Sequence, residues 1–153
     1  MPAASESSAA REARARSSWP QEYARIWAGA WNSRDPKQVI GLMTGDVVYQ
    51  DDSWPSVMRG PDDVRSWLEA LWTAFPDLEF EVPEVYMAPD HSAAALHWVA
   101  RATHRGQFGG VAATGRRIEV DGADFHLLRD GRMHRVRGIY DNAALLRQLQ
   151  GGE

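Results

Sequence analysis

The sequence predicts an α+β domain, with helices gathered on one face of an antiparallel sheet. Three features carry that prediction. Apolar residues recur with the helical period of 3.6 in the first half of the 153-residue chain. From Pro76 onward the period changes to 2, the mark of strands. Between two of the alternating runs lies Asp130-Gly131, a pair typical of a tight hairpin turn.

The first helix opens at Ser18, a candidate N-cap, with Pro20 in the first turn, where a proline is tolerated. Trp19, Tyr23, Ile26, Trp27, Ala30 and Trp31 share one face of it. It ends near Asn32 and Ser33, and Asp35-Pro36 starts a short second helix with Val39, Ile40 and Met43 inward. Thr44-Gly45-Asp46 reads as a turn, Val47 to Gln50 as a strand, and Asp51 to Arg59 as a loop. Gly60-Pro61-Asp62-Asp63 begins a third helix: a glycine near the cap, a proline in the first turn, acids against the helix dipole. Val64, Trp67, Leu68, Leu71, Trp72 and Phe75 form its buried stripe. Leu78, Phe80 and Val82 then alternate with Glu79 and Glu81, and further strands are expected over Ala93–His104, Arg117–Arg129 and Arg132–Tyr140. A short helix from Ala143 to Leu149 follows. Residues 1–17, poor in apolar side chains, read as a disordered tail, and 18–153 as one domain.

Composition excludes several function classes. A formal net charge of −4 lacks the basic field that nucleic acid would require. The absence of cysteine rules out disulfides, thiol nucleophiles and thiolate metal sites, and it fits a reducing cytoplasm. No apolar run reaches the roughly 18 residues that cross a bilayer. His91, His97, His104, His126 and His134 offer no tight ligand pair, so no metal is expected. Gly106, Gly109 and Gly110 precede no helix, so no phosphate loop is expected either. What remains is a cofactor-free protein, with neither nucleic acid nor membrane as partner, acting on a small molecule. Its seven tryptophans suit either wide core packing or a cavity with aromatic walls.

Strand alternation decides which side chains can reach such a cavity. Leu96, Trp98, Ala100, Ala102 and His104 share one parity and are placed inward. Gly122, Asp124, His126 and Leu128 are the matching inward set of the next strand, although Phe125 and Leu127 compete for the inside. In the last strand His134, Val136, Gly138 and Tyr140 are placed inward, with Arg135 and Arg137 outside.

Several pieces, in this order, resemble the SnoaL-like branch of the nuclear transport factor 2-like superfamily. They are Ala30-Trp31-Asn32 at a helix end, Val47-Val48-Tyr49 leading to Gly60-Pro61, and Phe75-Pro76-Asp77-Leu78. Thr103-His104-Arg105-Gly106, Thr114-Gly115-Arg116-Arg117 and Tyr140-Asp141 before Leu145–Leu149 continue the series. The resemblance covers Trp19 to Gln150 and implies a cone-shaped α+β barrel, a curved, mostly antiparallel sheet wrapped around three N-terminal helices. It also implies a deep cavity and a homodimer packed through the outer face of the sheet, with Arg101, Arg135 and Arg137 at or beside the interface. Such proteins include polyketide cyclases, steroid isomerases, epoxide hydrolases, dehydratases and non-catalytic binding modules, so fold alone does not choose.

The resemblance also carries residue roles. Asp51 stands nine positions before Gly60, the spacing of the general base in ketosteroid isomerases, and Asp124 falls near their proton-donating acid. The isomerase tyrosine is matched by Trp27, with Tyr23 a turn earlier. His126-Leu127-Leu128-Arg129 resembles the stretch that supplies a pocket histidine in polyketide cyclases, whose essential aspartate on the last strand is matched here by Gly138. A carboxylate at an apolar pocket can move a proton once burial lifts its pKa toward neutrality, and His104 can orient or protonate a substrate oxygen. The expected catalytic set is therefore Asp51, Asp124, His104 and His126. The expected substrate contacts are Tyr23, Trp27, Tyr49, Trp54, Trp72, Trp98, Gly138 and Tyr140. Acid–base cyclisation or isomerisation of a polyketide-like or terpenoid-like substrate fits best. Epoxide hydrolysis or dehydration in the same pocket, or an accessory role in ligand binding, stays open.

Overall fold

A computed structural model describes residues 5–151, without the side chains of positions 13–17. The first four residues of the predicted tail lie outside that range. Helix α1 runs over Ser8–Asn32, capped by the Ser7 hydroxyl, which accepts from the Ala10 amide. It therefore starts ten residues before Ser18. Residues 8–17 are helical rather than disordered, and Pro20 lies inside the helix rather than in its first turn. The reason is propensity: Ala, Arg and Glu extend a helix without an apolar face once a packed segment has nucleated it. Helix α2 is Pro36–Ile40, with Asp35 as its cap.

Strands β1 (Met43–Asp51) and β2 (Met58–Arg59) precede helix α3 (Gly60–Ala74). Thr44-Gly45-Asp46 is not a free turn, for it lies in β1 where the register shifts between Met43 and Val48. Strands β3 (Glu79–Met87), β4 (Ala93–Thr103), β5 (Arg117–Arg129) and β6 (Arg132–Tyr140) follow, and helix α4 (Asn142–Gln150) comes last. The strand order is β2-β1-β6-β5-β4-β3. This sheet is open rather than closed into a barrel. Every ladder is antiparallel except the one that joins β1 to β6.

Trp27 and Trp31 of α1, Trp67 and Leu68 of α3, and Leu145 and Leu149 of α4 share one core with the inner face of the sheet. Leu96, Trp98, Ala100, Ala102 and His104 are buried on that face. Asp124, His126 and Leu128 join them, while Phe125 and Leu127 point out. In β6 the expected alternation breaks. A register shift near Leu128 leaves His134 as an extra residue, so Met133 takes the inward position and His134 is half-exposed. Val136 and Gly138 recover the inward parity. No helix among the described residues is long and apolar enough to cross a membrane.

Candidate active site

The site begins as one row across three strands. Asp51 of β1 pairs with Gly138 of β6 in the parallel ladder, and Gly138 pairs with Asp124 of β5 in the antiparallel one. Residues opposite one another in such ladders point to the same face, with Cβ atoms about 5 Å apart. A side chain at 138 would stand between the two aspartates. With glycine there, the Asp51 carboxylate leans into the gap. A Cβ built on Gly138 would fall on Asp51 Oδ2 and 3.2 Å from Asp124 Oδ1.

Asp51 is held from one side only. Its Oδ1 accepts from the Ser53 amide at 2.9 Å and from the Ser53 hydroxyl at 2.5 Å. The Ser53 hydroxyl in turn accepts from Trp67 Nε1 at 2.9 Å, which ties the carboxylate to α3. Burial pushes the Asp51 carboxyl up to about 7, and the nearby Asp124 charge pushes the same way, while the Ser53 hydrogen bonds pull it down.

Asp124 sits in a fuller network. Trp98 Nε1 donates to Oδ1 at 3.0 Å, and the Tyr49 hydroxyl donates to Oδ2 at 3.4 Å. His126 Nε2 lies 3.0 Å from Oδ2, and its Nδ1 lies 2.7 Å from the Tyr23 hydroxyl. With Asp124 as a carboxylate, His126 donates through Nε2 and accepts from Tyr23, so each buried polar atom has a partner. The Trp98 ring reaches Asp124 because Gly122 opposes Trp98 in the ladder. A Cβ there would fall within the indole. Burial raises the phenol pKa of Tyr23 and Tyr49, reinforced by the Asp124 charge; burial and the Asp51 charge do the same for Tyr140. All three phenols stay protonated and able to donate.

These groups open onto a cavity of about 70 Å³. Helix α1 contributes Trp27 and Trp31, α3 contributes Trp67 and Leu71, and the strands contribute Tyr49, Phe80, Trp98, Val120 and Tyr140. Phe75, Phe108 and Leu145 close the remaining walls. Asp51 and Asp124 are the acids of the lining, and no Arg, Lys or His belongs to it.

The profile of the SnoaL-like polyketide cyclases matches residues 21–149. The chain belongs to this family. No curated protein matches the sequence. Among solved structures, IdmH from Streptomyces antibioticus, described as a candidate polyketide cyclase, is similar at 26% identity and a TM-score of 0.71, over 86% of this chain and 98% of that one. AclR from Streptomyces galilaeus, described as a candidate hydroxylase, is similar at 25% identity and a TM-score of 0.74, over 88% of this chain and 82% of that one. TsrD from Streptomyces laurentii shares the fold at 23% identity and a TM-score of 0.74, over 89% and 96% of the two chains. The open sheet with its packed helices is thus the nuclear transport factor 2-like fold of a SnoaL-like, cyclase-type family.

Within this SnoaL-like chain, Asp51, Asp124, Trp27, Tyr49, Trp98 and Tyr140 line the cavity, and Asp51, read as the start of a loop, is the last residue of β1. Tyr23 and His126 stand behind the wall and reach it through Asp124. Three further expected residues do not line the cavity, and Gly138 supplies the gap that Asp51 fills rather than a wall. Trp54 is half-buried against the core but does not line the cavity. Trp72 packs edge to face on Trp31 and does not line the cavity. His104 is fully buried, yet its Nδ1 is held by the Thr114 amide and hydroxyl and its ring packs on Phe75. It follows the last residue of β4, beyond the end of the cavity wall, and anchors the glycine-rich loop. Among the described residues no group of three or more His, Asp or Glu side chains could hold a metal. Ser53 is the functional neighbour that sequence reasoning missed. Its signal was there, since an aspartate two residues before a serine is a common side-chain turn.

Proposed function

We propose that the chain is a cofactor-free cyclase or isomerase that moves protons with Asp51 on a polyketide-like or terpenoid-like substrate. The carrying observation is the Asp51–Gly138–Asp124 row, which puts two carboxyl groups at one apolar cavity. A group that titrates near neutral pH is effective both as acid and as base. In this reading the protonated Asp51 gives its proton to a substrate oxygen. Positive charge then develops on the adjoining carbon, the ring closes or the double bond shifts, and Asp51 recovers a proton from carbon. No net proton is consumed. Asp124, engaged by Trp98, Tyr49 and His126, stays in place beside the reacting group rather than acting as the proton donor of the isomerase comparison. The cavity's small volume admits the reacting end of a larger substrate, with the remainder leaving past Ser53, Leu71, Phe108 and Tyr140, its partly exposed wall residues.

A homodimer belongs to the same reading. Phe125, Leu127, Ile139 and Tyr86 are exposed on the outer face, and the register sets Tyr86, Ala95 and Phe125 side by side. Apolar side chains clustered in this way suit a partner surface.

The test is turnover of poly-β-carbonyl and epoxide model substrates by wild type and Asp51→Asn. A fall of about 10²–10⁴-fold in kcat with retained binding is the expected result. Equal turnover by a folded Asp51→Asn protein removes Asp51 from the chemistry. Tight binding without turnover by either protein puts the accessory-binding role in its place.

A further inference from the structure

The charge balance of the cavity points to the chemical class of its occupant. Asp51 and Asp124 face one space across Gly138, and the lining brings no Arg, Lys or His to meet them. The described basic groups nearest the row are engaged elsewhere. His126 lies behind Asp124 with both ring nitrogens bonded. Arg137 donates to the Gly138 carbonyl at 2.6 Å and pairs with Asp52 at 2.7 Å. Both Ser53 donors go to Asp51 Oδ1, which leaves Oδ2 for an occupant.

The walls repeat the message. Trp27, Trp31, Trp67, Trp98, Tyr49 and Phe80 contribute rings to this one space. Aromatic faces carry negative potential and attract cations within about 6 Å, most strongly where water is excluded. An anionic ligand would meet two acids and six such rings with no compensating charge. Size narrows the choice further. At about 70 Å³ the cavity is roughly half the volume of an engineered protein cavity that takes benzene, so it seats a primary ammonium with a carbon or two and not a trimethylammonium head.

We propose that this cavity is a receptor for a small organic cation, a primary alkylammonium group seated among the tryptophans against Asp51 and Asp124. The site is the one described above, but the inference does not depend on Asp51 transferring a proton. It goes beyond the functional reading, for a bound cation holds Asp51 ionised, the form that accepts a proton rather than gives one.

The cation favours ionised Asp51, so its affinity rises with pH until Asp51 has lost its proton. The titratable groups around Asp51 are Asp124 across the glycine, Tyr49 on its own strand, Tyr140 on β6 and the adjacent Asp52 with Arg137. Asp51 is the one whose carboxyl burial brings to about 7.

The probes are propylammonium and propan-1-ol, close in size while only the first is charged. Both are titrated calorimetrically into wild-type protein near pH 8 and near pH 5.5, on either side of the Asp51 transition. The expected result is propylammonium binding near pH 8 about tenfold or more tighter than the neutral alcohol. That preference shrinks near pH 5.5 and shrinks in Asp51→Asn. Equal affinities near pH 8, no propylammonium binding at millimolar concentration, or a full preference retained by Asp51→Asn would each overturn the proposal. Failure here with turnover still lost in Asp51→Asn leaves the proton-transfer reading standing. Preference for the cation with turnover unchanged in Asp51→Asn does the reverse.

Discussion

Four consecutive residues of β5 invert the usual rule that apolar side chains go inside. Asp124 and His126 are 2% and 1% exposed, while Phe125 and Leu127, their neighbours on the other face, are 51% and 43% exposed. Burying polar groups costs free energy unless each finds a partner. On the inner face each does, through Trp98, Tyr49 and Tyr23. The outer pair makes no such network and leaves apolar surface in water. The difference teaches that neither face is arranged for the stability of the lone chain. In the proposed reading the inner face serves a ligand and the outer face a partner surface.

The sharpest way to probe the inner face is pH. Burial lifts the Asp51 carboxyl from 3.8 to about 7, so the folded chain holds a proton there that the unfolded chain has already released. Its contribution is complete below the unfolded value and is lost as pH rises through about 7. Urea unfolding of wild type and Asp51→Asn at about pH 4 and pH 8 isolates this group. The variant should gain on wild type by at most roughly 4 kcal/mol between the two conditions. A difference that does not change with pH would mean that Asp51 is not desolvated. Next in size is Asp124→Ala, which strands the Trp98 and Tyr49 donors and His126. A loss of about 3 kcal/mol in the same assay is expected. A cost below about 1 kcal/mol would break the contrast between the faces. On the outer face, Leu127→Glu should shift folding of the isolated chain by under about 0.5 kcal/mol. In sedimentation velocity the same change should turn a dimer into a monomer. A wild-type chain that sediments as a monomer at high concentration would leave the outer apolar residues without their proposed partner.

Much of this architecture was legible from local signals. Gly60-Pro61-Asp62-Asp63 packs a glycine and a proline with two acids into four residues, and α3 begins there. Asp130-Gly131 turns the β5–β6 hairpin, with both residues at positive φ. The start of α1 escaped because a helix without an apolar stripe has no period to read. The shift at His134 escaped because one extra residue in a strand changes parity without any compositional mark. Asp124 could be named from alternation and Asp51 from its spacing to Gly60, but not their relation. Gly138 looked like a lost carboxylate. In the fold it is the space that another carboxylate occupies, and only the parallel pairing of β1 with β6 reveals it. The Tyr23–His126 contact joins residues 103 positions apart, a distance over which the sequence carries no local pattern.

That parallel ladder also sets a timetable. Strand β6 lies between β1 and β5 in the sheet, so β1 has no partner on that side until β6 has been made. Arg137 finds Asp52 from 85 positions away, a closure that waits for that strand. A ribosome halted before Arg132 would carry helices, the β3–β4–β5 ladders and both acidic side chains, yet no strand to hold those acids in one row. The proposed site is thus assembled by the strand between its two acids, and any chain that stops short of β6 is born without it.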